Sequence, residues 1–437
     1  MYLCIYLCIR RSFLARSAVT KIILRRIALI HVTAYWHFVA VLKNDGVLPL
    51  DAKSLRCLAV VGPFANSTTE LMGGYSGRNL RIASHSPSAV LRRRLLSASP
   101  STRLLFSAGA TNGANRTDQI AAAVRATQQA DATVLFVGDT HVSEFSDRTA
   151  NGLEYAQVRL IEAVCSAGKP VVLVVVAGHS IDLTAAKQVC GAILFAFLPS
   201  QFGGDAIADV LLGDYSPAGR LPVTFYDSSV NLRSNFNPED MSLRQGNGVT
   251  YQHYRGTPLY EFGFGLSYST FRFQWSEPPP TASTTQAVAA AHDDDPPLVY
   301  RVTVTNTGEV ASGVAVLAFV NTSIQHLDPD TDPLPSPPLR KLFNFTRTFL
   351  APGASVHLEF SLGRELVALS DHSGQQAVRA GRYTVAIGGV GRAGRVEDGA
   401  VSTPLQLTGE PRVLFSMNEL RRRHTVTDLN VMGGHEG

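Results

Sequence analysis

The chain has 437 residues and a mass of 47.0 kDa, room for two or three domains of ordinary size. Hydrophobic residues make up 45% and charged residues 17%, which excludes disorder along the whole length, and ordinary glycine and proline usage excludes collagen-like or low-complexity architecture. The formal charge of +4 is unevenly placed: Arg10, Arg11, Arg16, Lys21, Arg25 and Arg26 stand in the first 26 residues with no acid among them, so the remainder is near neutral and carries no nucleic-acid footprint.

Residues 1–40 open with the apolar stretch MYLCIYLCI, and Arg10-Arg11 follow it. A secretory signal has the opposite order, so no signal peptide is read here. The next apolar segment, 22–42, is broken by Arg25, Arg26 and His31 and is too interrupted to span a membrane. This segment is left unassigned, as a basic presequence or surface helix or as sequence foreign to the fold that follows.

Over residues 41–272 short apolar runs alternate with helical patterns. Strands are predicted at Cys57–Val61, Ala132–Val137, Val171–Val176, Ala192–Phe197 and Leu221–Phe225. Several are apolar at every position, the mark of parallel strands covered on both faces. Helices are predicted from a Thr117 cap through IAAAVRA, across Leu153–Ala167, and from Gly203-Gly204 into AIADVLLG. The alternation predicts an α/β fold, a mostly parallel sheet flanked by helices.

A Pro-, Ala- and Asp-rich stretch at 273–297 reads as a linker, and its His292–Asp295 run as a solvated charge cluster rather than a metal site. From 298 to 408 the pattern changes to period two, with turn signals at Asn306-Thr307-Gly308, Pro352-Gly353 and Ala380-Gly381. That predicts an all-β sandwich of immunoglobulin or fibronectin type III kind. Residues 409–437 are left as a tail without structure.

Five cysteines are too few for a disulfide scaffold and lack metal-ligand spacing, although Cys165 and Cys190 could pair in a secreted chain. Four sequons, at Asn66, Asn115, Asn321 and Asn344, are candidate glycosylation sites. The turn after the first strand lacks GxGxxG, there is no Walker A loop or HExxH, and the Ser180 context fails the GxSxG elbow. No metal and no cofactor are expected.

Ligands of open parallel sheets bind at the carboxyl ends of the strands. The loop leaving Ala132–Val137 holds Asp139, His141, Glu144, Asp147 and Arg148 within ten residues. Glu144, beside Phe145, has the setting of a general acid, and the same residues could instead form surface ion pairs. The loops Ala177–Asp182 and Leu198–Asp205 would wall the same crevice. Seven aromatics between Tyr251 and Phe271 suggest either a carbohydrate wall or packing, packing being the simpler account.

Several motifs together resemble a known family. LKNDGVLPL (Leu42–Leu50), VVGP (Val60–Pro63), GYSG (Gly74–Gly77), GGDAIADVLLGD (Gly203–Asp214), PAGRLPVT (Pro217–Thr224) and YEFGFGLSYSTF (Tyr260–Phe271) stand in the order of glycoside hydrolase family 3. VTNTG (Val304–Gly308) and AGRYTV (Ala380–Val385) resemble that family's fibronectin type III-like domain, and EFSDRT (Glu144–Thr149) is most similar to its β-xylosidase branch.

The resemblance implies a secreted retaining β-glycosidase acting on short β-xylosides or β-glucosides in xylan catabolism. Glu144 is then the candidate acid/base with Asp147 the runner-up, and His141 and Arg148 are candidate substrate contacts. The family's nucleophile lies on an N-terminal barrel that would precede Lys43; no residue here has its context, so the chain by itself is expected not to turn over glycosides. The alternative is a non-catalytic carbohydrate-binding or interaction module.

Overall fold

The computed structural model describes residues 36, 39–73, 85–111, 116–139, 151–228, 230, 242–280, 286–287, 297–323, 337–371, 375–388, 400–409 and 411–415. These fall into two compact units. The first takes the described residues up to 230 together with Pro258–Ser269; the second takes 242–257 and the described residues from Thr270 onward.

The first unit is built on a six-stranded sheet of order β1-β6-β5-β4-β2-β3, formed by β1 (Ala40–Asn44), β2 (Cys57–Val61), β3 (Arg103–Ser107), β4 (Ala132–Gly138), β5 (Val171–Val176) and β6 (Ala192–Phe195). All neighbours run parallel except β1, which pairs antiparallel with β6 at the edge. Every residue of β2, β4, β5 and β6 is buried, because helices cover both faces. α1 (Pro87–Ala98) and α5 (Gly203–Leu211) pack with the core that contains Val134, Phe136, Val172 and Val174; α2 (Ile120–Gln129), α3 (Tyr155–Cys165) and α4 (Thr184–Val189) pack with the core of Leu135, Val137, Leu173 and Val175. Alternate residues of each strand thus feed opposite cores, as the pleat requires.

The expected α/β fold is present, with local differences. Leu221–Phe225 is not a ladder strand. Pro222 has no N–H to give, and the segment joins Pro258–Ser269 instead through Leu221 N–H to Phe264 O, Gly263 N–H to Leu221 O and an isolated bridge between Phe225 and Tyr260. Two edge strands, β1 and β3, escaped the pattern because one ends in Lys43-Asn44 and the other opens on Arg103 and is half exposed. The helix expected from a Thr117 cap starts at Ile120, and no side chain caps it.

Residues near the start of the unit belong to its core. Val39 and Ala40 are fully buried. Trp36 stacks on Tyr215 at 4.4 Å and donates its indole N–H to Asp209 Oδ2 at 2.8 Å. Arg94 on α1 holds Asp209 on α5 at 2.6 Å and also reaches Asp214. Burial pushes the Asp209 carboxyl above its ordinary range, while Trp36 and Arg94 oppose that shift. Behind the sheet, Cys165 and Cys190 form a disulfide that ties the end of α3 to the end of α4.

The exit of β4 is set by one side chain. Gln157 on α3 is fully buried; its Oε1 accepts from Gly138 N–H and its Nε2 donates to Gly138 O, both at 2.9 Å. A Cβ at Gly138 would collide with Val176 O, so glycine is required where the Gln157 carboxamide and β5 close on the strand end.

The second unit is a β-sandwich. One sheet has order β11-β10-β15-β16-β8, from β10 (Ser312–Ser323), β11 (Lys341–Leu350), β15 (Gly381–Gly388), β16 (Val401–Thr408) and the two-residue β8 (Gln286–Ala287); the facing sheet is β12-β9-β7, from β12 (Ser355–Leu362), β9 (Leu298–Asn306) and β7 (Phe271–Trp275). Alternate residues Tyr300, Val302, Val304, Val314, Val316, Phe360, Tyr383, Val385 and Ile387 form its core. Asn306 locks the predicted turn: its Nδ2 donates to Val310 O and Leu350 O, and its Oδ1 accepts from Gly308 N–H. Tyr383, whose hydroxyl donates to Arg379 O at 2.9 Å, has its pKa pushed up to about 12 by burial. Arg412–Phe415, in the stretch read as an unstructured tail, is a strand, β17, in a small sheet with β14 (Gln376–Val378) and β13 (Leu369–Ser370), of order β13-β14-β17.

The seven aromatics of 251–271 are divided between the two units. Tyr260 packs edge-on to Phe225 in the first unit, and Tyr251 packs edge-on to Phe319 in the second. Both are packing contacts.

Two outcomes follow. Gln157→Leu should lower stability by about 3 kcal/mol or more, since it strands a buried donor and a buried acceptor on Gly138; a urea midpoint unchanged from the parent contradicts that assignment. In the second unit, burial first, then Arg244, Arg255 and Lys341, hold the His253 pKa down to about 4. The unfolded chain takes up that proton near pH ~6.5, so it binds more protons than the native state between those values and stability falls as pH drops through the window. His253→Gln should flatten that part of the pH–stability curve, and an unchanged slope would show that His253 does not contribute.

Candidate functional site

The carboxyl ends of β2, β4, β5 and β6 open on one edge of the sheet, and four loops leave there. The first polar side chain after β4 is Asp139. Its backbone N–H donates to Val176 O at 2.9 Å, and its carboxylate, 3% exposed, meets His179 Nε2 at 2.6 Å. His179 follows β5, and its Nδ1 lies 2.8 Å from Ser180 O. Ser180 O and the Asp139 carboxylate both accept, so each ring nitrogen of His179 faces an acceptor. The pair joins the exits of adjacent strands across forty positions of sequence.

The next described residue after Asp139 is Asn151, and it is tied to the same loop. Asp182 N–H donates to Asn151 O at 2.9 Å, and Asn151 Nδ2 donates to Tyr226 O at 2.9 Å. Asp182 is fixed in turn: Oδ1 accepts from Thr184 N–H and Oγ1, and Oδ2 accepts from Ser228 N–H. Asp139 and Asn151, the described residues on either side of 140–150, are therefore both bonded to the 177–182 loop that leaves β5.

The loops after β2 and β6 meet each other. Ser200 N–H donates to Leu71 O at 2.7 Å, and Gly73 packs against Leu198 so closely that a Cβ would intrude on its side chain. Phe197 and Ser200 sit at φ 52° and 60°, a left-handed conformation unusual outside glycine. Such strain persists where surrounding contacts over-determine the backbone, and it gathers at functional sites. At the start of α5, Asp205 receives His85 and Arg93, while Gly204 lets the helix lie directly on the His85 backbone.

The sequence-predicted residues Glu144, Asp147, His141 and Arg148 lie outside the described residues, as does the sequon at Asn115. What the structure describes around them is the strand exit before them, Asn151 after them and the Ala177–Asp182 loop bonded to both flanks. Among the described residues no group of three His, Cys, Asp or Glu could hold a metal ion, and no helix is long and apolar enough to cross a membrane. The Asp139–His179 pair was not recognised from sequence. Its signal was available, since each is among the first polar residues after a strand buried at every position.

Comparison with known proteins follows this geometry. Residues 39–268 match the glycosyl hydrolase family 3 C-terminal domain, and residues 328–390 match a fibronectin type III-like domain. A probable exo-1,4-β-xylosidase of Aspergillus fumigatus is 35% identical over 367 residues, covering 80% of this chain and 44% of its own length. The corresponding protein of Aspergillus oryzae is 34% identical over 365 residues, 80% of this chain and 43% of its own. The chain thus spans less than half the length of these curated relatives. Among solved structures, a family 3 exo-β-xylosidase bound to a xylobiose aziridine probe superposes with a TM-score of 0.74 at 30% identity, over 88% of this chain and 49% of that one. A family 3 β-glucosidase of Bifidobacterium adolescentis gives 0.67 at 26%, over 87% and 53%. With the expected α/β unit and sandwich both present and the first matched across 39–268, the chain belongs to glycosyl hydrolase family 3.

Proposed function

We propose that this chain carries the acid/base side of a retaining β-glycosidase that acts on the ends of short β-1,4-xylosides, with β-glucosides the neighbouring substrate class. The observation that carries this reading is the 35% identity to an exo-1,4-β-xylosidase across 80% of the chain. The bonding of Asp139 and Asn151, on either side of 140–150, to the loop at a parallel-sheet exit supports it.

In this reading Glu144 donates a proton to the leaving oxygen and then takes one from water. Asp147 is the runner-up for that role, and His141 and Arg148 contact the sugar. Retention requires a second carboxylate about 5–5.5 Å away on the opposite face of the ring. Asp139 does not fill that need, because it is engaged by His179 and leaves the sheet on the same loop as Glu144. The nucleophile comes from the part of the family enzyme that these residues do not match. Secretion fits the disulfide, since such bonds persist in oxidising compartments.

The test joins the chain behind a family 3 barrel that supplies the nucleophile. The product should hydrolyse aryl β-xylosides, and Glu144→Gln should lower kcat on a poor leaving group about 10²–10⁴-fold, with azide restoring part of the rate as glycosyl azide. Asp147→Asn should retain most of the activity. Parental rates in Glu144→Gln would move the acid/base role to Asp147.

A further inference from the structure

β11 forms one edge of its sheet and pairs antiparallel with β10. Its outward row is Phe345, Arg347 and Phe349, all exposed, the two phenylalanines by 69% and 62%. Directly opposite on β10 stand Leu317, Ala315 and Gly313. The small residues at 315 and 313 keep the β10 side low, so Arg347 and Phe349 rise beside a shallow floor. Along the strand the two phenylalanines are about 13 Å apart, farther than one sugar ring reaches and within a short run of a β-linked chain.

The same face continues to Phe319, the next outward residue of β10 after Leu317. Arg340 lies over the Phe319 ring, 5.2 Å from its centroid, and Tyr251 packs edge-on to it from the helical turn Thr250–His253. Burial comes first among the causes that keep His253 of that turn neutral, and the charges of Arg244, Arg255 and Lys341 come next, which marks this end of the face as basic. Neither β10 nor β11 contains an acid. Exposed apolar side chains gathered on one face mark a surface that meets a partner. The C–H faces of a pyranose ring stack on phenyl rings, and guanidinium groups pair with carboxylates. Charge and shape together suit a sugar polymer whose backbone presents flat ring faces and whose branches are acidic.

We propose that the Phe345–Arg347–Phe349 face binds a β-1,4-xylan chain branched with uronic acids, the phenyl rings stacking on xylose and Arg347 pairing with a carboxylate. Arg340, above Phe319, adds positive charge at one end. The choice of xylan rests on the xyloside reading above; the face itself takes no part in bond cleavage.

The test measures how far the 437-residue chain is slowed in native gels cast with glucuronoxylan, with the same xylan after reduction of its carboxyl groups, with polygalacturonate or with hydroxyethyl cellulose. Glucuronoxylan should slow it most and reduced xylan less, with no effect of the other two. Phe345→Thr combined with Phe349→Thr should weaken affinity for both xylans about tenfold or more at an unchanged urea midpoint, because threonine suits a strand. Arg347→Gln should bring the affinity for glucuronoxylan down to that for reduced xylan. Phe106→Thr, which removes an exposed aromatic of the first unit, should bind like the parent. The gels use the chain alone, whereas the xyloside reading is judged by turnover in the barrel-joined product, so either can fail without the other. No retardation by glucuronoxylan, equal retardation by polygalacturonate, parental affinity in the double variant, or an equal loss in Phe106→Thr would overturn the proposal.

Discussion

Gly138 ends a strand that is buried on both faces, so its N–H and C=O have no water to turn to and must find partners inside the protein. The Gln157 carboxamide takes both. Much of the site's frame depends on that constraint. It fixes α3 against the end of β4. Asp139 then leaves the strand with its carboxylate turned to His179, and Asn151 returns to Asp182 on the same β5 loop. Asp139 and Asn151, the described residues on either side of 140–150, are thus both bonded to the chain that leaves β5. Positioning of this kind is how a scaffold lends precision to groups on a loop.

The polar network on the other face works by the same rule. Asp209 is buried and keeps its charge only against the pull of desolvation, with Trp36 and Arg94 as donors. Breaking one member of such a cluster leaves an uncompensated charge, which costs more than the contact itself contributes. The network ties α1 to α5 and to Trp36, so a residue from the stretch left unassigned by sequence is part of the fold's support. The sandwich instead relies on alternating apolar strands and on single polar locks such as Asn306 and Tyr383.

Much of this was legible in the sequence because continuous apolar runs have few alternatives. VVLVVV at Val171–Val176 reads as a doubly covered parallel strand, and it is one. Arg103–Ser107 was missed because an edge strand alternates less cleanly and carries charge. Leu221–Phe225 misled because Pro222 permits extended backbone yet gives no donor to a ladder. The strand-exit rule located the candidate loop, but no periodicity brings Asp139 to His179. Their meeting depends on β4 and β5 being neighbours, which is topology rather than local pattern. Gln157 was hidden for a similar reason, since a polar residue on a helix gives no sign that it reads the backbone of a strand end.

The central claim is that the carboxyl edge of the parallel sheet, marked by Asp139 and His179, is the sugar-facing side of the first unit. The most direct measurement is a titration of the chain with xylobiose, followed by the imidazole resonances of His179 and, as a control in the sandwich, His357, each assigned by its His→Gln variant. The account predicts a saturable shift of His179 with His357 unmoved. Saturable binding that shifts His357 and leaves His179 unchanged, or no response at either position, would contradict it.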